Sequence, residues 1–84
     1  MLHTYFRTER FKKDYSKLDS FHQELVKKKM HKIAENPDFG KPLHKPLQNF
    51  KSERAEHLRI VYTMEGETIK FCWIDDRGHA YKRR

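Results

Sequence analysis

The spacing of apolar residues changes once along this chain, from a helical repeat before Asn36 to strict alternation after His57. In the first part Phe11, Tyr15 and Leu18 recur at three- and four-residue intervals. Phe21 and Leu25, then Val26, Met30, Ile33 and Ala34, continue the same kind of stripe, with Lys27, Lys28, Lys29 and Lys32 largely outside it. In the second part Leu58, Ile60, Tyr62 and Met64 alternate with Arg59, Val61 and Thr63, and Ile69, Phe71 and Trp73 alternate with Lys70, Cys72 and Ile74. A helix returns to one face about every 3.6 residues and a strand every second residue. A chain that shows first one period and then the other must cover a sheet with helices, which predicts an α+β fold.

Local signals divide the chain further. Leu2 to Phe6 reads as a short first strand. Thr8 is placed to cap a helix with Glu9 in its first turn, and Ser20 with Gln23 is a capping-box pattern that starts a second helix. Asn36-Pro37 ends that helix, because the residue before proline avoids the helical region. The two helices are expected to pair as an antiparallel hairpin, and residues 37–49, rich in Pro, Lys and His, read as a loop.

A tight turn at Glu65-Gly66 sets Tyr62 opposite Ile69, Ile60 opposite Phe71 and Leu58 opposite Trp73. That register puts the large apolar groups, Trp73 included, on one covered face. Arg59 opposite Cys72 and Val61 opposite Lys70 then fall on the uncovered face. Arg54 precedes Arg59 by an odd number of residues, so on one straight strand the two would point to opposite sides. A bend at Ala55-Glu56-His57 brings both to the same side. The expected order is β-α-α-β-β-β: an antiparallel sheet with an N-terminal helical hairpin on one face, residues 1–84 forming a single domain.

Charge and cysteine usage limit the partners. Nineteen Lys+Arg against 12 Asp+Glu give a net charge of +7 in 84 residues. Such a surface favours phosphate, since each neutralised phosphate releases condensed counterions; a merely solvated basic surface or an acidic protein partner are the other readings. Cys72 is the one cysteine, so no internal disulfide forms and a reducing cytoplasm is expected. No stretch approaches the roughly 20 apolar residues that span a bilayer, and the N-terminus lacks the apolar run of a signal peptide. The six histidines form no His-x-x-x-His or Cys/His pair, so neither a zinc site nor any cofactor is expected.

Several stretches resemble the RelE/ParE superfamily of toxins from toxin–antitoxin modules, and the likeness runs over essentially the whole chain. It begins with Phe11-Lys-Lys-Asp-Tyr-Ser-Lys-Leu18 and continues through Glu35-Asn-Pro-Asp-Phe-Gly-Lys-Pro42 and Leu43-His-Lys-Pro-Leu47. It is sharpest in Ser52-Glu-Arg-Ala-Glu-His-Leu-Arg-Ile-Val-Tyr62, where one arginine lies five residues before the arginine of an Arg-hydrophobic-hydrophobic-Tyr strand. The tail Arg77-x-His79-x-Tyr81 looks like the superfamily's C-terminal Arg/Tyr signature and the ending of its YoeB branch. The resemblance implies a toxin that cuts mRNA in the ribosome without a metal and is held in check by a cognate antitoxin. It equally admits a ParE-like gyrase inhibitor without nuclease activity, and composition alone admits a non-catalytic basic RNA-binding module.

Metal-free cleavage uses the RNA's own 2′-hydroxyl as nucleophile. It needs a base for that proton, an acid for the leaving 5′-oxygen and cations for the growing phosphate charge. Arg59 is the candidate phosphate clamp, because guanidinium bonds phosphate bidentately and keeps its charge; the alternative is a strand arginine paired with a surface carboxylate. Arg54 and Arg77 match family arginines, and each could instead hold Glu53, Glu56 or Asp76. His79 is the natural proton carrier and Tyr81 a stacking or proton-transfer group. Lys45 and Lys51 are expected RNA-phosphate contacts. The general base stays open among Lys45, Lys51, Glu53 and His57.

Overall fold

The computed structural model describes residues 3–43 and 49–76. Among them, strand β1 (Tyr5–Arg7) is followed by helices α1 (Glu9–Ser16) and α2 (Ser20–Glu35) and a 3-10 turn at Pro37–Phe39. Strands β2 (Lys41–Pro42), β3 (Lys51–Ala55), β4 (Leu58–Glu65) and β5 (Thr68–Asp76) complete one five-stranded sheet in the order β1-β5-β4-β3-β2. The α+β class and the helix pair are as expected, with one more short strand, β2, inside the stretch read as a loop.

The sheet is mixed rather than antiparallel. β2, β3, β4 and β5 form an antiparallel meander, but β1 joins the far edge parallel to β5, with Tyr5 opposite Ile69 and Arg7 opposite Phe71. The helices between β1 and the meander provide the long connection that a parallel pairing requires. Where β1 ends, α1 takes over the exposed edge of β5. The Thr8 amide donates to the Phe71 carbonyl (3.0 Å), the Thr8 hydroxyl to the Cys72 carbonyl (2.7 Å), and the Ile74 amide to Asp14 (3.0 Å). Ladder groups that would otherwise be orphaned are thereby satisfied.

Thr8 also caps α1, its hydroxyl accepting from the Phe11 amide at 3.0 Å. In α2 the cap is Asp19 rather than Ser20: its carboxylate accepts from the His22 amide (2.9 Å) and from the His22 ring (2.7 Å), and these bonds hold its pKa below the usual carboxylate range. Gln23 does not close a box; its side chain donates to the Tyr15 carbonyl and so ties α2 to α1. Phe21, expected in the buried stripe, is 60% exposed, whereas Val26, Met30, Ile33 and Ala34 are buried.

The β4–β5 turn is centred on Gly66-Glu67, one residue later than expected, with Glu65 opposite Thr68. Gly66 has φ +65°, and hairpin turns that need a positive φ at their first central position favour glycine there. Moving a turn by one residue shifts the pairing by two, so Tyr62, now opposite Phe71, keeps its face. A bulge next to Val61 and Tyr62 then inserts one extra residue into β5. Beyond it Val61 faces Trp73, Ile60 faces Ile74 and Leu58 faces Asp76. Trp73 therefore lies not in the core but half-buried on the other face, its ring 5.6 Å from Phe50 and 5.2 Å from the Arg10 guanidinium.

The core unites Phe11 of α1, Val26, Met30, Ile33 and Ala34 of α2, and Ala55, Leu58, Ile60, Tyr62, Ile69, Phe71 and Ile74 of the sheet. Tyr62 is fully buried, so its hydroxyl needs partners: it donates to the Pro37 carbonyl (2.8 Å) and accepts from the Gly40 amide (2.9 Å). Burial pushes its pKa up, keeping the donor proton in place. Gly40 permits this approach, since a Cβ there would lie 2.6 Å from the Tyr62 oxygen and 2.8 Å from the Ser52 carbonyl. Tyr62→Phe leaves one buried donor and one acceptor unpaired and should cost about 1–3 kcal/mol. A urea melt reads this directly; a loss below about 0.5 kcal/mol would mean that the clasp does not hold the 37–40 segment.

Candidate functional site

The β3–β4 hairpin turns in two residues, Glu56 and His57, with Ala55 opposite Leu58 and Arg54 opposite Arg59. The bend inferred from the odd Arg54–Arg59 spacing is thus a tight turn, and it makes the two arginines a direct cross-strand pair. Directly opposed residues share a face. Leu58, Ile60 and Tyr62 of β4 go to the core, so Arg54, Arg59, Ser52 and Val61 stand on the side away from it. β2 extends this face: Lys41 lies opposite Ser52. Lys41, Pro42, Leu43, Ser52, Glu53, Arg54 and Arg59 line one groove.

Like charges directly opposite each other repel. Yet among the described residues neither Arg54, Arg59 nor Lys41 has a carboxylate within 4.0 Å. The salt-bridge alternatives for Arg54 are occupied elsewhere: Glu53 pairs with Lys29 at 3.4 Å, Glu56 lies 3.8 Å from His22, and Asp76 lies 3.6 Å from His57. Across from Arg59 on β5 stands Asp75, aligned by the bulge but forming no ion pair with it. Three cations converge on a groove, each guanidinium offering five N–H donors in a fixed fork geometry, an arrangement suited to a phosphate-sized anion.

The other sequence candidates are distributed differently. Lys51 is opposite Tyr62, on the helix-covered side, and its ammonium pairs with Asp38 at 3.0 Å; it does not line the groove. Glu53, opposite Ile60, turns its carboxylate to that same side, where Lys29 holds it, while the residue still contributes to the groove lining. His57 is in the turn itself, its ring 5.0 Å from that of His22. Lys45, Arg77, His79 and Tyr81 lie outside the described residues. Lys41 and Asp75 were not anticipated. Lys41 gains its position from a strand of two residues, too short to show a period, and Asp75 from a bulge that no residue type announces. Cys72 is buried, and burial pushes its thiol pKa up, away from reactive thiolate.

No protein-family model matches the sequence, and no curated protein matches it significantly. Solved structures do match. The toxin–antitoxin complex RelBE2 of Mycobacterium tuberculosis contains a chain that aligns with a TM-score of 0.81 and 23% identity, over 92% of this chain and 100% of that one. The intact RelBE toxin–antitoxin complex of E. coli gives 0.74 and 22%, over 88% and 95%. The RelB–RelE antitoxin–toxin complex of Methanococcus jannaschii gives 0.72 and 19%, over 93% and 96%. The chain has the RelE toxin fold over nearly its whole length. What it shares with these proteins at such identities is the fold.

Proposed function

We propose that this protein is the toxin of a toxin–antitoxin module and acts as a ribosome-dependent mRNA endoribonuclease. The observation that carries the reading is the Arg54–Arg59 cross-strand pair, joined by Lys41, which lines an open groove on a RelE fold and forms no ion pair among the described residues. A phosphodiester bound between the guanidinium groups satisfies donors that the described fold leaves free. Its 2′-oxygen attacks the adjacent phosphorus, the bond from phosphorus to the 5′-oxygen breaks, and a 2′,3′-cyclic phosphate and a 5′-hydroxyl result. The proton of the 2′-hydroxyl passes to a base, and the leaving 5′-oxygen takes one from an acid.

Arg59 holds the charge that grows on the non-bridging oxygens, and Arg54 and Lys41 orient the strand. Arg77, His79 and Tyr81 enter through the family resemblance: another cation, the proton carrier, and a stacking group. The chain leaves β5 at Asp76, next to Asp75 and so beside Arg59. Asp75 joins Glu53 as a possible base, and it is the one whose strand position is across from Arg59; His57, in the hairpin turn beside His22, does not line the groove. The RelBE neighbours were solved as toxin–antitoxin complexes, which supports a cognate antitoxin as partner. Among the described residues no helix is long and apolar enough to cross a membrane, in keeping with action on ribosomes in the cytoplasm.

Induced without an antitoxin, the protein should arrest methionine incorporation before DNA synthesis falls, and mapped mRNA cuts should carry 2′,3′-cyclic or 3′-phosphate upstream ends. A first fall in thymidine incorporation would favour the gyrase reading. Cuts with 3′-hydroxyl ends would sink attack by the 2′-hydroxyl.

A further inference from the structure

Away from the groove, the N-terminal turn of α2 meets the β3–β4 turn, and three metal-ligating side chains come together there. His22, Glu56 and His57 each offer a ligand atom, all within 4.8 Å of one another. No local spacing marks the trio in the sequence, because one member comes from α2 and two from a hairpin turn more than thirty residues later.

Two independent features give the cluster the character of a site. The first is the orientation of His22. Its Nδ1 is engaged by the Asp19 carboxylate at 2.7 Å, which leaves Nε2 pointing toward Glu56, 3.8 Å away. A carboxylate that fixes one ring nitrogen and presents the other is the arrangement that orients histidine for a metal. Asp19 can serve in this way because it is already fixed as the cap of α2. The second is the backbone of Glu56, which has φ +58°. Glycine or asparagine would suit that conformation; a glutamate there is strained, and such strain points to a role for the side chain. The turn holds the Glu56 carboxylate toward His22 while His57, its neighbour, brings the second imidazole to 5.0 Å from the first.

We propose that His22, Glu56 and His57 form a site for a divalent transition metal of the zinc class, with water completing a tetrahedral shell. Two imidazoles and a carboxylate match the preferences of Zn²⁺, whereas Ca²⁺ and Mg²⁺ require more oxygen ligands. Metal bonds of about 2.0–2.2 Å place tetrahedral ligand atoms roughly 3.3 Å apart. Glu56 and His57 are exposed, and closing from the present separations turns their side chains toward His22, with His57 giving up its 3.6 Å contact with Asp76. The metal clips the β3–β4 turn to α2. It is separate from the cleavage chemistry proposed above, and the site stands or falls independently of that reading.

The test is titration of the chelator-treated full-length protein with ZnCl₂, by calorimetry and thermal unfolding, and with CoCl₂ by absorption spectroscopy. The expected result is one saturable equivalent, a tetrahedral Co²⁺ spectrum, and a melting temperature that rises with Zn²⁺, since metal at 100 times its Kd raises the folding constant about 100-fold. His22→Gln and His57→Gln should each abolish the Zn²⁺-dependent shift. Asp19→Asn keeps the helix cap, because asparagine caps as well as aspartate, but loosens the imidazole and should weaken binding about 10–100-fold. Glu56→Gly relieves the backbone strain, so the metal-free variant should melt no lower than the wild type and yet gain nothing from Zn²⁺. His31→Gln, paired with Glu35 on the exposed face of α2, should bind as the wild type does. Absence of a saturable equivalent, or wild-type affinity in both His22→Gln and His57→Gln, overturns the assignment.

Discussion

Arg59→Ala should lower single-turnover cleavage of mRNA on saturating ribosomes about 10²–10³-fold, the loss associated with removing one preorganised charge-stabilising donor. The fold should not suffer. Arg59 makes no ion pair among the described residues, and across the ladder it stands between another arginine, Arg54 on β3, and Asp75 on β5. Removing one of two opposed like charges relieves repulsion, so the urea midpoint should stay within the equivalent of about ±0.5 kcal/mol or rise slightly. Arg59→Lys separates charge from geometry: lysine keeps the charge but cannot form the bidentate fork, so activity should recover only in part. Cleavage rates and urea melts on the same preparations decide the matter. A destabilised Arg59→Ala protein would make the arginine structural, and an active, stable one would remove it from the site.

The adjacency of Arg54 and Arg59 was legible because it follows from parity. An odd separation across a strand boundary forces either opposite faces or a turn, and Ala55-Glu56-His57 between a polar strand and an apolar one leaves only the turn. The helices were legible for the same kind of reason, since Phe11, Val26, Met30 and Ile33 repeat at a period that no strand shares. What escaped depends on partners rather than on local pattern. β1 runs parallel to β5 because the meander had already fixed the direction of β5, and three residues carry no signal of that. The bulge in β5 leaves the alternation of Ile69, Phe71 and Trp73 intact in the sequence while turning Trp73 out of the core. A period-two reading sees a perfect strand there. The groove suffered likewise: Lys41 belongs to it through two ladder residues, and Lys51, nearer in sequence to the arginines, is on the wrong side by parity once β3 is known to start there.

That same edge-to-core geometry makes Phe71 the most consequential apolar side chain to remove. Its ring is fully buried and meets three others: Tyr5 at 5.3 Å, Phe11 at 5.5 Å and Tyr62 at 6.0 Å. Those neighbours belong to β1, α1 and β4, so one side chain joins the parallel edge strand, the first helix and the strand that carries Arg59. Phe71→Ala loses the transfer free energy of the ring and leaves a cavity bounded by elements that cannot easily collapse, since β1 and α1 are pinned to β5 by ladder and capping bonds. The expected cost is about 3–5 kcal/mol, set against a total of roughly 4–13 kcal/mol for 84 residues. Each kcal/mol lowers the melting temperature of a domain this size by about 4–8 °C. The variant should therefore melt at least about 12 °C lower or fail to fold at 37 °C. Phe21→Ala, removing a ring that is 60% exposed, should change stability by no more than about 0.5 kcal/mol. Circular-dichroism melts of the two variants give the comparison. Equal losses would mean that Phe71 is not the junction of the core, and that the β5 edge is held by the Thr8 and Asp14 hydrogen bonds alone.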